Sequence, residues 1–261
     1  MPTASPIVNT IFVTNILSGY TRLINAQRPI VITIAIKPSK IGITEATKFL
    51  DFPVVSGNVS FYNETKDKGI KPTPAIGGVG LIKDYKKIVT MNLKNSGNLI
   101  LVVGKTEGHI DQSVFAINIL NEKKGPPPVV NLFNEKNNGE TILKLIKEEL
   151  ISSAHDISLG GIITAVSKMA IKGEKGFKLN KIKVLINKFD YYFGEDQGRY
   201  IIEIEPKNLS KVQKILKDNS VHCDEIGLVT EKDIIIDKEP IIHIDDLVKS
   251  NTNWLKEYMD K

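Results

Sequence analysis

The sequence contains one cysteine, Cys223, which excludes an intramolecular disulfide and any metal site built from paired thiolates. That usage fits a reducing cytoplasm, the expected location. No stretch approaches the roughly 20 apolar residues that span a bilayer, so no membrane partner is expected. The run from Pro6 to Leu17 is interrupted by Asn9, Thr10, Thr14 and Asn15 and lacks a basic leader, so it does not read as a signal peptide. Charge of one sign is also scarce: 35 Lys and Arg stand against 30 Asp and Glu, spread along the chain rather than gathered into a basic arm. Zinc-knuckle spacing and aromatic-basic ribonucleoprotein motifs are absent, which argues against a nucleic-acid partner. Neither a Walker phosphate loop nor a dinucleotide-binding glycine fingerprint occurs.

What is present is an ordinary globular balance, 41% hydrophobic and 25% charged over 261 residues, enough for one large or two modest domains. Pro29–Ile36 reads as a buried strand, Lys40–Leu50 as an amphipathic helix and Phe52–Val55 as a further strand. Ala75–Ile82 is expected to form a glycine-rich strand after the rigid Lys71–Pro74 connection. Leu99–Val103 is a central strand ending at Gly104. A helix is expected over Gln112–Leu120, an extended break at Pro126–Pro128 and a second helix over Asn138–Glu149. Beyond these come a short strand at Ile151–Ser153, a helix from Gly160-Gly161 to about Ile171 and a strand at Val184–Ile186. Strands at Tyr200–Ile204 and Asp233–Ile236 flank an amphipathic helix at Leu209–Asp218. The pattern is α/β (α+β) rather than a bundle, with a domain boundary between Asp84 and Asn98.

Three segments concentrate groups that bind ligands. Ser56–Thr65 joins glycine, amide, hydroxyl and carboxylate groups after a strand. It reads equally as a loop that presents N–H groups and oxygens to phosphate and magnesium, or as a polar turn. Ser153–Gly161 places His155, Asp156 and Ser158 before a helix N-terminus, where free N–H groups favour anions; capping by Asp156 or Ser158 is the commoner use. Phe193–Tyr200 brings Glu195, Asp196, Gln197 and Arg199 to the start of a strand, as a nucleotide contact or as a charged turn that stabilises an interface. His109, His222 and His243 lack metal-ligand spacing, and Cys223 has no local partner that would make it a nucleophile.

Taken in order, DFPVVSGNVSFYNET at 51–65, PTPAIGGVGLI at 72–82, SAHDISLGG at 153–161 and FGEDQGRY at 193–200 resemble the C-terminal half of phosphoribosylformylglycinamidine synthase, of the aminoimidazole-ribonucleotide-synthetase-like superfamily. GHIDQS at 108–113 and GPPPVVNL at 125–132 extend the likeness, which runs from about residue 40 to the C-terminus. The resemblance implies an ATP-dependent carbon-nitrogen ligase of purine biosynthesis that turns formylglycinamide ribonucleotide into its amidine with glutamine-derived ammonia. The implied fold is a truncated synthetase-like A domain followed by a synthetase-like B domain with a mixed sheet and flanking helices. The implied division is a divergent segment at 1–39, a partial A domain at 40–92 and the B domain at 93–261. By the same resemblance Gly57 contacts ATP, Asn58 coordinates magnesium and Ser60 contacts the ribonucleotide, and no catalytic residue is assigned.

The sequence also departs from the family. No first A domain, with its catalytic histidines and magnesium carboxylates, precedes residue 40, and an LNFGNP-like stretch is missing after Arg28–Thr33. Leu159 replaces an acidic or polar residue, and Asp111 stands where glycine is usual. The expectation is a C-terminal fragment or split subunit that works with an N-terminal synthetase portion and a glutaminase subunit. The alternative is an inactive remnant or interaction module with at most weak nucleotide binding.

Overall fold

The computed structural model describes residues 20–23, 30–33, 39–56, 64–65, 68–69, 76–78, 80–82, 84–182 and 185–260. Its first elements are short. Strands β1 (Tyr20–Leu23) and β2 (Ile30–Thr33) pair antiparallel, helix α1 spans Ser39–Phe49, and β3 (Glu64–Thr65) pairs antiparallel with β4 (Lys68–Gly69). Lys136 ties α1 to the remainder: its Nζ lies 3.4 Å from the Phe49 carbonyl oxygen and 5.7 Å from the centre of the Phe49 ring.

From residue 99 onward strands and helices alternate. The order is β5 (Leu99–Val103), α2 (Val114–Asn118), α3 (Leu132–Lys147), β6 (Ser153–Asp156), α4 (Gly161–Gly173), β7 (Gly176–Leu179), α5 (Lys188–Phe193) and β8 (Tyr200–Ile204). Then follow α6 (Leu209–Asp218), β9 (Cys223–Thr230), β10 (Asp233–Ile236), β11 (Ile242–His243) and α7 (Ile244–Met259). Seven strands form one mixed sheet in the order β11-β10-β7-β9-β5-β8-β6. The β7-β10 pair is parallel, and the other neighbours in this sheet are antiparallel.

Side chains alternate across a strand, so the apolar run of β5 feeds two cores. Ile100 and Val102 pack with Phe177, Ile201 and the inner face of α4, whereas Leu101 and Val103 pack with Tyr200, Ile202 and the inner faces of α3 and α6. The result is a sheet covered on both faces, the α/β arrangement with a mixed sheet and flanking helices that the sequence leads one to expect. A continuous apolar strand is the signature of that double burial.

Several local expectations need correction. Residues 52–56 form no strand: Pro53 has no N–H to donate, and Val54 and Val55 are exposed. The described residues of 75–82 are likewise outside any strand, and Leu185 and Ile186 form a bend. The strand expected at 151–153 is displaced onto Ser153–Asp156, so His155 and Asp156 sit in the sheet rather than in a loop. Helix α2 is one short turn-and-a-half capped by Ser113. Helix α3 begins six residues before Asn138, capped by the Asn131 side chain, which accepts from the Asn134 N–H. The sequence reading did not find β7, β9, α5 or α7.

Candidate functional site

Strand β5 ends at Gly104, where the backbone turns with φ +96. A Cβ at this position would lie 2.7 Å from the Gly198 carbonyl oxygen, so close approach and positive φ both demand glycine. Gly198 is held there by the Asn138 side-chain amide of α3, which donates to its carbonyl oxygen at 2.9 Å. The loop after Gly104, the first turns of α3 and the residues before β8 therefore converge. They enclose a cavity of about 530 Å³ lined by residues that include Lys105, His109, Asp111, Asn134, Glu135 and Asp196.

The wall nearest β8 is a buried polar network. Arg199 is fully buried; its Nη2 donates to the Gly194 carbonyl at 2.7 Å, its Nη1 to Thr106 Oγ1 at 3.1 Å and its Nε to the Asp196 carbonyl at 3.2 Å. The Asp196 carboxylate lies 3.4 Å from Nη1 and accepts three backbone N–H groups, from Glu107 at 3.1 Å, Gly108 at 3.0 Å and His109 at 3.0 Å. Glu195 points the other way and accepts from the N–H of Gly160 and of Val114, each at 2.8 Å. Burial pushes the Glu195 carboxyl above the usual glutamate value, an effect that these two N–H groups and the positive charge of Arg199 offset in part.

These contacts bear on the alternatives for the two later motifs. The N–H groups of Glu107, Gly108, His109, Val114 and Gly160 are taken by carboxylates of the chain itself. Phe193–Tyr200 thus contains a charged turn that clamps the 107–109 loop and the starts of α2 and α4, and the N-cap of α4 is Gly160, with no side-chain cap bond. The His155 Nδ1 instead lies 3.1 Å from Asp156 Oδ1 on β6. The His109 ring contacts the Pro126 carbonyl at 3.0 Å, and the Gln112 amide donates to the carbonyls of Lys124 and Gly125, both at 3.1 Å. Together they hold the Pro126–Pro128 strap at the cavity edge.

The cavity lining carries the carboxylates of Glu107, Asp111, Glu135 and Asp196, the ammonium of Lys105 and the imidazole of His109. Lys105 also pairs with Glu107 at 2.7 Å. Among the described residues no group of three or more His, Cys, Asp or Glu is placed to hold a metal ion. Nor is any helix among them long and apolar enough to cross a membrane. Gly57, Asn58 and Ser60, the residues expected to contact ATP, magnesium and substrate, lie outside the described residues. Sequence reasoning missed Thr106, Glu135 and Asn138; the signal available was the glycine that ends the apolar strand, which required a partner at close approach.

Cys223, for which the sequence offers no local activating partner, opens β9. Burial first, then the charges of Asp224 and Glu225, push its thiol up to about 12.

Comparison with known proteins gives a consistent result. The sequence model of the AIR synthase related protein, C-terminal domain, matches residues 95–238. The phosphoribosylformylglycinamidine synthase subunit PurL of Pelagibacter ubique (strain HTCC1062) is 68% identical over 219 residues, covering 84% of this chain and 30% of its own length. That of Nitrobacter hamburgensis is 41% identical over 218 residues, covering 84% and 29%. Among solved structures, T. maritima PurL complexed with FGAR aligns with a TM-score of 0.63 at 19% identity, over 82% of this chain and 38% of that one. T. maritima PurL complexed with AMPPCP gives 0.64 at 18% identity, over 82% and 36%. This chain therefore spans about 30% of the length of the curated relatives it matches.

Proposed function

The chain belongs to the AIR synthase related family, of which it carries the C-terminal domain, and from that premise we propose that it is the C-terminal part of a phosphoribosylformylglycinamidine synthase. The observation that carries the reading is the 68% identity to the Pelagibacter ubique synthase subunit over 84% of this chain. The division into a 1–39 segment, a partial A domain at 40–92 and a B domain at 93–261 belongs to the same proposal, as does a cytoplasmic location.

The reaction proposed for the assembled enzyme activates the amide oxygen of formylglycinamide ribonucleotide by phosphoryl transfer from ATP, after which ammonia attacks the activated carbon. Holding the triphosphate and the amide in line is the task that falls to protein groups, because little covalent chemistry is asked of them. We assign that task to 51–65, with Gly57 at ATP and Ser60 at the ribonucleotide. The side-chain oxygen of Asn58 is the hard donor magnesium prefers, and the ion would neutralise charge on the triphosphate. Its other ligands would be phosphate oxygens, water and groups outside the described residues, since the described residues offer no metal-holding cluster.

On this reading the chain works as a fragment or split subunit, with an N-terminal synthetase portion and a glutaminase subunit as partners. The remaining 70% or so of the relative's length, the complement of the 30% matched, would supply the missing groups. The test is complementation: the chain is mixed with the N-terminal portion of the Pelagibacter ubique subunit, and ATP-dependent amidine formation from ammonia is followed. Activity that needs both parts supports the proposal. Activity from the N-terminal portion alone, or none from the mixture, favours the second reading, a non-catalytic module whose donor sets are closed by Glu195 and Asp196.

A further inference from the structure

The contacts of Asp196 have the form of a ligand in a site. Three consecutive N–H groups, those of Glu107, Gly108 and His109, converge on one carboxylate at 3.0–3.1 Å, and a guanidinium lies 3.4 Å from the same group. Consecutive N–H groups arranged in this way form a concavity that binds anions, and a buried arginine adds a full positive charge. Next to it, the Glu195 carboxylate accepts from the N–H groups of Gly160 and Val114, which come from two separate segments. Asp196 and the loop residues Glu107, Gly108 and His109 all line the cavity, so the occupied nest lies at its wall.

We propose that the 107–109 loop and Arg199 form an oxyanion-binding site that the chain fills with its own Asp196 carboxylate, and that it takes a small carboxylate or phosphate once that side chain is removed. The site would survive the removal because Arg199 is also held by hydrogen bonds to Thr106 Oγ1 and to the backbone carbonyls of Gly194 and Asp196. In the wild type an oxyanion entering the cavity meets an occupied nest and the carboxylates of Glu107, Asp111 and Glu135. The native cavity therefore rejects oxyanions, and Asp196→Ala opens a subsite for them.

The experiment compares the wild-type chain with Asp196→Ala and Asp196→Asn in chloride, formate and inorganic phosphate at matched ionic strength. Thermal midpoint and titration calorimetry with phosphate are the readouts. Removing a carboxylate that neutralises a buried guanidinium should lower the midpoint of Asp196→Ala in chloride. Formate and phosphate should then raise it saturably, as binding to the folded state alone requires. Phosphate should bind this variant at least about ten-fold more tightly than the wild type, a difference of about 1.4 kcal/mol. Asp196→Asn, which refills the space with an amide, should not be rescued. If Asp196→Ala does not fold in chloride, the readout is its refolding yield, which formate and phosphate should raise. Two results would overturn the proposal: neither anion does more than chloride for midpoint and refolding yield, or the wild type binds phosphate as tightly as the variant. In the first case the loop is a structural clasp that accepts no free anion. In the second the carboxylate is not what closes the site.

Discussion

The carboxylate of Glu203 on β8 lies 2.7 Å from the side-chain nitrogen of Asn98, with both residues buried. The same carboxylate accepts from the N–H of Lys94 at 2.9 Å and of Asn95 at 3.1 Å, and from Ser153 Oγ at 2.8 Å. A single acidic side chain thus fastens the approach to β5 and the start of β6 to β8. Glu203→Ala would leave the buried donors of Asn98 and Ser153 and the part-buried N–H groups of Lys94 and Asn95 without this acceptor, and should destabilise the chain by about 2 kcal/mol or more. Urea unfolding monitored by circular dichroism measures the loss. A change below about 0.5 kcal/mol, typical of a surface position, would show that the donors find other partners.

Gly104→Ala tests the junction that forms the cavity. The added methyl would sit 2.7 Å from the Gly198 oxygen and 3.1 Å from the Asn138 amide nitrogen, at a φ that L-residues avoid. The expected cost exceeds about 1 kcal/mol. The amide proton of Leu101, one turn of strand away, should exchange in step with the global loss, because the two cores share β5.

Much of this fold could be read from the sequence. The β5 run Leu99–Val103, β8, β10, α4 and α6 announced themselves by apolar content or helical period, because burial on two faces or one stripe leaves that trace. Strand β9 escaped because it opens on Cys223-Asp224-Glu225, acidic groups that a period-2 reading sends to solvent. Helix α7 escaped because Ile244 is its one fully buried apolar side chain, with Leu247 and Val248 partly buried. The start of α3 was hidden by Asn134, Glu135 and Asn137, polar residues that face the cavity and loops rather than the core. At the site, the composition of Phe193–Tyr200 showed which groups were present. The choice between ligand and internal partner depended on where the 107–109 N–H groups fold back, a contact across 87 residues or more that local pattern does not encode.

Glu195 makes acid stability informative. Its carboxyl is raised chiefly by burial, so the folded state binds this proton more tightly than the unfolded one. The stabilisation is complete below the unfolded glutamate value and is lost as pH rises through the folded value. Glu195→Gln does not titrate. The stability of the wild type relative to this variant should therefore fall with rising pH across that interval and level off above it, as denaturant titrations from the ordinary glutamate range to neutral pH would show. A relative stability that climbs with pH would reverse the assignment.

Cys223 should resist alkylation. With its thiol pushed up from 9.0 to about 12, it carries about a thousand-fold less thiolate than an unshifted thiol at mildly alkaline pH. Its reaction with iodoacetamide should be at least about a hundred-fold slower in the folded chain than in denaturant. Equal rates would mean that the strand bearing it opens readily.

The assignment of nucleotide contact to residues 51–65, and not to the acidic cavity, is tested most directly by calorimetric titration of the chain with Mg-ATP, alone and with the N-terminal synthetase portion present. The comparison uses the wild type, Asn58→Ala and Lys105→Ala. The account predicts saturable binding that Asn58→Ala weakens by about ten-fold or more, while Lys105→Ala, at the cavity, leaves it unchanged. Binding indifferent to Asn58→Ala but lost in Lys105→Ala, or no binding even with the N-terminal portion present, would contradict it.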